Sequence, residues 1–139
     1  MNHLVNPVFQ KTVKGIPVST WIWHPELSNI NTVDIGENCT LHSHIWIGGK
    51  VKIGDRCKIQ AFSFIPDGVT IGNDCFIGPR VTFLNDKHPP SDEWLETIVE
   101  DGVSIGGGAI ILPGLTLGKG CKIGAGAGVT HSVPKGETW

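Results

Sequence analysis

At 139 residues and a formal net charge of −2, the chain has room for one domain and carries no basic excess of the kind that binds nucleic acid or an acidic membrane. Nineteen glycines and nine prolines would suggest disorder in an aperiodic chain, but here most glycines fall in register. The longest apolar stretches are far below bilayer-spanning length, and the start (Met1, Asn2, His3, Leu4) has no basic region followed by an apolar core, so a cytoplasmic address is expected.

Residues 1–32 read as an N-terminal capping segment, in which Trp21, Ile22, Trp23, His24 and Pro25 are expected to form a strand over the first coil. From Ile35 onward an apolar residue recurs every sixth position: Ile35, Leu41, Ile47, Ile53, Ile59, Ile65, Ile71, Ile77, Phe83, and after a break Val99, Ile105, Ile111, Leu117, Ile123, Val129. None of them is polar. A small or β-branched residue follows most of them at the fourth place, and a glycine often follows directly, as at Gly36, Gly54 and Gly72. A hexapeptide period marks a parallel β-helix, in which each repeat is one short strand plus a tight corner and buries its apolar face only between neighbours. Fifteen such positions at three per turn predict five triangular coils over 33–134, with a short tail at 135–139.

The three-hexad bookkeeping also sorts the other side chains. Cys39, Cys57, Cys75 and Cys121 share one column with Val103 and point the same way, which disfavours disulfides and predicts small buried groups in a reducing compartment. One column, Glu37, Asp55, Asn73, Asp101 and Lys119, is polar and expected to be solvated. Another, Ser43, Ala61, Pro79, Gly107 and Ala125, is small throughout and predicts a flat strip parallel to the coil axis. Beside it the outward-pointing Trp46, Phe62, Phe64 and Ile110 are too much exposed apolar surface for a lone monomer.

The period breaks once. Phe83 to Val99 is 16 residues, so an insertion of about ten leaves the solenoid in the loop 84–98, which is polar, Pro-broken and carries a lone Trp94. Loops on a rigid repeat scaffold are where function concentrates. His88 is the side chain there whose unperturbed pKa lies nearest neutrality, and it is the natural proton acceptor for a nucleophile.

These Ile-Gly hexads, the segment Phe83-Leu84-Asn85-Asp86-Lys87-His88-Pro89 and the stretch Ile123-Gly124-Ala125-Gly126-Ala127-Gly128-Val129-Thr130 resemble the hexapeptide-repeat acyltransferases, an all-β superfamily of left-handed parallel β-helices. The left hand comes from that resemblance, since the usual crossover rule gives the opposite one. The resemblance implies a homotrimer with acetyl-CoA as acyl donor between subunits, no metal, and a sugar acceptor. On the family pattern Gly107, Ala125 and Thr130 would touch the coenzyme; His131 stands where relatives carry Lys, with Lys135 close by. Catalysis would fall to His88 and Asn85, with Asp86, Lys87, His42 and His44 on the substrate side. The Asn-Asp-Lys segment resembles nucleotide-sugar N-acetyltransferases of surface-polysaccharide synthesis, whereas the His-Pro pair resembles galactoside and maltose O-acetyltransferases, and His88 that only braces the loop is a third reading.

Two other classes share the architecture. A β-helix carbonic anhydrase needs three imidazoles on a metal, and here His42 and His44 lie about two coils from His88. A non-catalytic scaffold would have no need of a polar loop.

Overall fold

Two-residue strands rich in β-branched side chains cannot stand alone. In the computed structural model, which describes residues 14–139, they stack into a parallel β-solenoid of about six turns with three faces. Residues 1–13, His3 among them, lie outside the described residues. The first sheet runs from Trp21–Ile22 through Thr40–Leu41, Lys58–Ile59, Phe76–Ile77 and Ser104–Ile105 to Lys122–Ile123. The second contains Asn29–Ile30, Trp46–Ile47, Phe64–Ile65, Thr82–Phe83, Ile110–Ile111 and Gly128–Val129. Lys52–Ile53, Val69–Ile71, Thr97–Val99 and Thr116–Leu117 make the third, prolonged by bridges from Ile53 to Ile35 and from Leu117 to Val133.

The five coils expected from the period become about six because Trp21–Ile22 and Asn29–Ile30 build a turn ahead of Ile35. Its spacing hides it. Ile22 pairs with Leu41 and Ile30 with Ile47, 19 and 17 residues apart instead of 18. The corner between these two strands holds a 3-10 turn at Pro25–Leu27, which lengthens it. At the other end Thr138 bridges to Lys122, and the Trp139 amide donates to the Lys122 carbonyl at 2.8 Å, so the last residues keep winding on the first sheet.

Every one of the fifteen periodic residues is buried, with Phe83 among the largest. The cysteine column lies inside as expected, with all four thiols free. Each thiol of the first three also donates to a corner carbonyl: Cys39 to Gly54 at 3.1 Å, Cys57 to Gly72 at 3.0 Å and Cys75 to Glu100 at 3.2 Å. Thr20 heads the column in the added turn and donates to Gly36 O at 2.6 Å. The Cys57 thiol is pushed up by its thiol neighbours and by burial, while its hydrogen bonds hold Cys39 and Cys75 down; burial chiefly, with the nearby Cys75 and Glu100, raises Cys121.

The polar column stands at the corner between the third and first sheets. There Asp55 Oδ1 accepts the Glu37 amide at 2.9 Å, Asn73 Oδ1 the Asp55 amide at 2.8 Å, and Asp101 Oδ1 the Asn73 amide at 2.8 Å. These bonds satisfy corner amides that the strands leave open. They also explain one glycine: a Cβ at Gly54 would collide with Asn73 Oδ1 and come within 2.7 Å of the Gly72 backbone.

Candidate functional site

The loop leaves at the corner between the second and third sheets. Its return comes earlier than the expected boundary of residue 98, because Thr97 is already paired with Val69 and buried. Residues 84–96 therefore form the excursion. The Asn85 carbonyl accepts the Leu95 amide at 2.9 Å and Asp86 bridges antiparallel to Trp94, which closes the base as a short two-stranded arm. Asn85 Nδ2 donates to the Asp67 carbonyl at 3.1 Å, tying the arm to the coil beneath.

Asp86 holds the tip. Its carboxylate accepts the Ser91 amide at 2.7 Å, the Ser91 hydroxyl at 2.6 Å and the His88 amide at 3.3 Å. The Ser91 hydroxyl, with these amides, keeps the Asp86 carboxyl below its usual range. Lys87 and His88 are exposed on the segment so braced. Ser91, a partner the sequence reading missed, carries a signal only in hindsight: Asp and Ser side chains favour local bonds to nearby backbone amides.

The small strip forms the corner between the first and second sheets, and its character changes along the axis. In the early coils it is bulky: His42 stacks on Trp23 with centroids 6.1 Å apart, His44 on Phe62 at 4.8 Å, and the Arg80 guanidinium lies 5.1 Å from the Phe62 centroid. In the last two coils the corner is Gly106-Gly107-Gly108 and Gly124-Ala125-Gly126, nearly bare backbone. A Cβ at Gly126 would meet nothing within 4 Å, whereas one at Gly107 would press on the Pro79 ring at 3.3 Å.

The expected site residues are thus spread over three edges of one chain. Gly107 and Ala125 share the first edge with His42 and His44. Thr130 and His131 lie on the second edge, the one that bears the loop, with the His131 ring 5.9 Å from that of Trp139. Lys135 stands on the third edge, beside Lys119 on the wall of a cavity of about 520 Å³. Between the loop edge and the bare edge runs the second sheet, whose outer face presents Trp46 stacked on Phe64 at 5.2 Å and, farther along, Ile110. Trp46, Phe64 and Ile110 are 37%, 39% and 45% exposed, as the apolar pattern predicts. Among the described residues no helix is long and apolar enough to cross a membrane.

Residues 50–85 and 96–131 match the family of bacterial transferase hexapeptide proteins (six repeats), and the unmatched gap is the outer loop. A galactoside O-acetyltransferase of Lactococcus lactis is 37% identical over 65 residues, 41% of this chain and 31% of that protein. Matches to the first curated relatives span between 13% and 32% of those proteins' lengths. The acetyltransferase domain of PglB from Neisseria gonorrhoeae, solved with acetyl coenzyme A, superposes with a TM-score of 0.72 at 20% identity, over 86% of this chain and 53% of that one. AntD, an N-acyltransferase from Bacillus cereus solved with dTDP and coenzyme A, gives 0.66 at 22% identity, over 86% and 72%. At those identities the likeness is one of fold.

Proposed function

The chain belongs to the bacterial transferase hexapeptide family, and from that premise we propose that it transfers the acetyl group of acetyl-CoA to the amino group of a nucleotide-linked amino sugar. The observation that carries this reading is the single loop, whose Asn85 and Asp86 side chains are both fixed by hydrogen bonds while His88 stays exposed on the tip. Solved structures of similar fold contain coenzyme A or acetyl coenzyme A, which supports the donor.

The thioester supplies an electrophilic carbonyl carbon. The sugar nitrogen attacks it, the carbon–sulfur bond breaks, coenzyme A leaves as the thiolate, and the nitrogen loses a proton. His88 accepts that proton and passes it to the departing thiolate, so that coenzyme A is released as the thiol. Asn85 orients the reactants from the arm's base, and Asp86 and Lys87 face the acceptor, Asp86 also holding the turn. The bare edge at Gly107 and Ala125 fits a slender pantetheine arm, because its backbone lies open where other coils carry side chains. Thr130, His131 and Lys135 would meet the nucleotide end of the coenzyme.

Because the loop and the bare edge flank opposite sides of the second sheet, one chain does not close the site by itself. A homotrimer does, with the loop edge of one copy set against the bare edge of the next and the Trp46–Phe64 face beside the contact; His42 and His44 then border the acceptor. Free buried thiols and the acyl donor both suit the cytoplasm.

The test is thiol release from acetyl-CoA with a panel of nucleotide-linked amino sugars and matched hydroxyl sugars. Release with the amines supports the reading; release with hydroxyl acceptors alone replaces it by O-acetylation, which the identity to the galactoside enzyme favours. No release with either overturns both.

A further inference from the structure

Trp94 has no part in the chemistry above, yet it is both fixed and open. Its side chain is held by Nε1, which donates to the Ser91 carbonyl at 3.2 Å, and its backbone by the bridge to Asp86, while the residue remains 57% exposed. It lines a cavity of about 320 Å³ with Lys50, Asp67, Gly68, Asp92 and Glu96. A second hollow of about 390 Å³ shares Lys50, Gly68 and Glu96 and runs on along the third sheet to Thr70. Asp67 joins this groove to the candidate site, since its carbonyl receives the Asn85 amide group.

A hydrophobic ligand would waste the charged walls, and a phosphate would meet three carboxylates against one ammonium. An amino sugar satisfies every wall. The apolar face of a pyranose covers the indole, its hydroxyls donate to carboxylates, and an ammonium gains both the carboxylates and the ring face. We propose that this groove is the acceptor-sugar subsite, in which Trp94 is the stacking platform and Asp92 and Glu96 select the amine. The subsite rests on the reading of the acceptor as an amino sugar. The ammonium so selected gives one proton to solvent before its nitrogen attacks, and the subsite adds a consequence for turnover: the N-acetylated product has lost its charge and is released in preference to the substrate.

The experiment measures binding without donor, by saturation-transfer NMR on the full chain, with glucosamine, N-acetylglucosamine and glucose as probes. Glucosamine is expected to bind most tightly. Trp94→Ala should weaken it about tenfold, the scale of one lost aromatic contact, and Trp94→Phe should restore most of that. Asp92→Asn combined with Glu96→Gln should erase the preference for glucosamine over glucose while glucose binding persists. An unchanged melting temperature shows that the coils are intact in each variant. Equal binding of glucosamine and N-acetylglucosamine, undiminished binding by Trp94→Ala, or no binding of any probe to the native chain overturns the subsite, even if acetyl transfer occurs. Selective binding without acetyl transfer leaves the subsite standing and overturns the proposed reaction instead.

Discussion

Asp86 and Ser91 are bonded twice, the Ser91 amide donating at 2.7 Å and its hydroxyl at 2.6 Å to the two oxygens of one carboxylate. The pair spans the turn that carries His88, so the position of the imidazole depends on a charge that does not itself titrate near neutrality. Asp86→Ala should loosen the loop and lower turnover while the melting temperature of the solenoid hardly moves, because no coil residue is altered. The carboxyl is held below its ordinary value by these bonds, chiefly the Ser91 hydroxyl. A depressed folded-state pKa stabilises above the unfolded value, about 3.9 for Asp, and that gain is lost as pH falls through the folded one. The protection of the Ser91 amide, its exchange rate compared with that of an unprotected peptide at the same pH, should therefore hold at neutral pH and be lost only under acid conditions below about pH 4. Loss of protection between pH 6 and 7 would mean that another group holds the turn.

At the bare edge, Ala125→Trp should weaken acetyl-CoA binding with the coils intact, since Ala125 is exposed and its neighbours Gly124 and Gly126 leave room around it. Gly107→Leu should weaken binding too, with some loss of stability from contact with the Pro79 ring, 3.3 Å from the added Cβ. Calorimetric titration that gives native affinity for both folded variants would remove the coenzyme from this edge.

The outer face of the second sheet predicts the assembly. Burying a large apolar side chain is worth roughly 1.5 to 3 kcal/mol, and Trp46 and Phe64 are stacked side by side on that face. Phe64→Glu should shift a homotrimer toward monomer in sedimentation at micromolar concentration. A native chain that sediments as a monomer would sink the shared-site arrangement, and a Phe64→Glu trimer would place the contact elsewhere.

The coils were legible because a strict period of six can be satisfied by only one kind of winding, and every residue on it is buried. The added turn was not, because the longer corner at Pro25–Leu27 moves Ile22 and Ile30 off the period in opposite senses. The loop showed itself as a phase slip, but its internal bonds did not: Asp86 to Ser91 and Asn85 to Asp67 depend on how an aperiodic segment folds back. The division of Gly107, Thr130 and Lys135 among three edges follows from their offsets within the repeat. Resemblance to a family groups such residues by role, and the distribution over edges becomes visible only once the coils are drawn.

The most demanding prediction concerns His88. Its ring is exposed, its amide is anchored on Asp86 at 3.3 Å, and Pro89 restricts its backbone to extended or turn conformations. General-base assistance is typically worth ~10² to 10⁴ in rate, so His88→Ala should reduce turnover by about that factor with acetyl-CoA affinity little changed. His88→Gln, which keeps a polar side chain of similar length but cannot take the proton, should fare no better. The native rate should fall on the acid side, where the proton acceptor is already protonated, and that limb should vanish in both variants. A loss smaller than tenfold, with the acid limb retained, would mean that an already nucleophilic amine attacks unaided and that the loop serves to hold it in place.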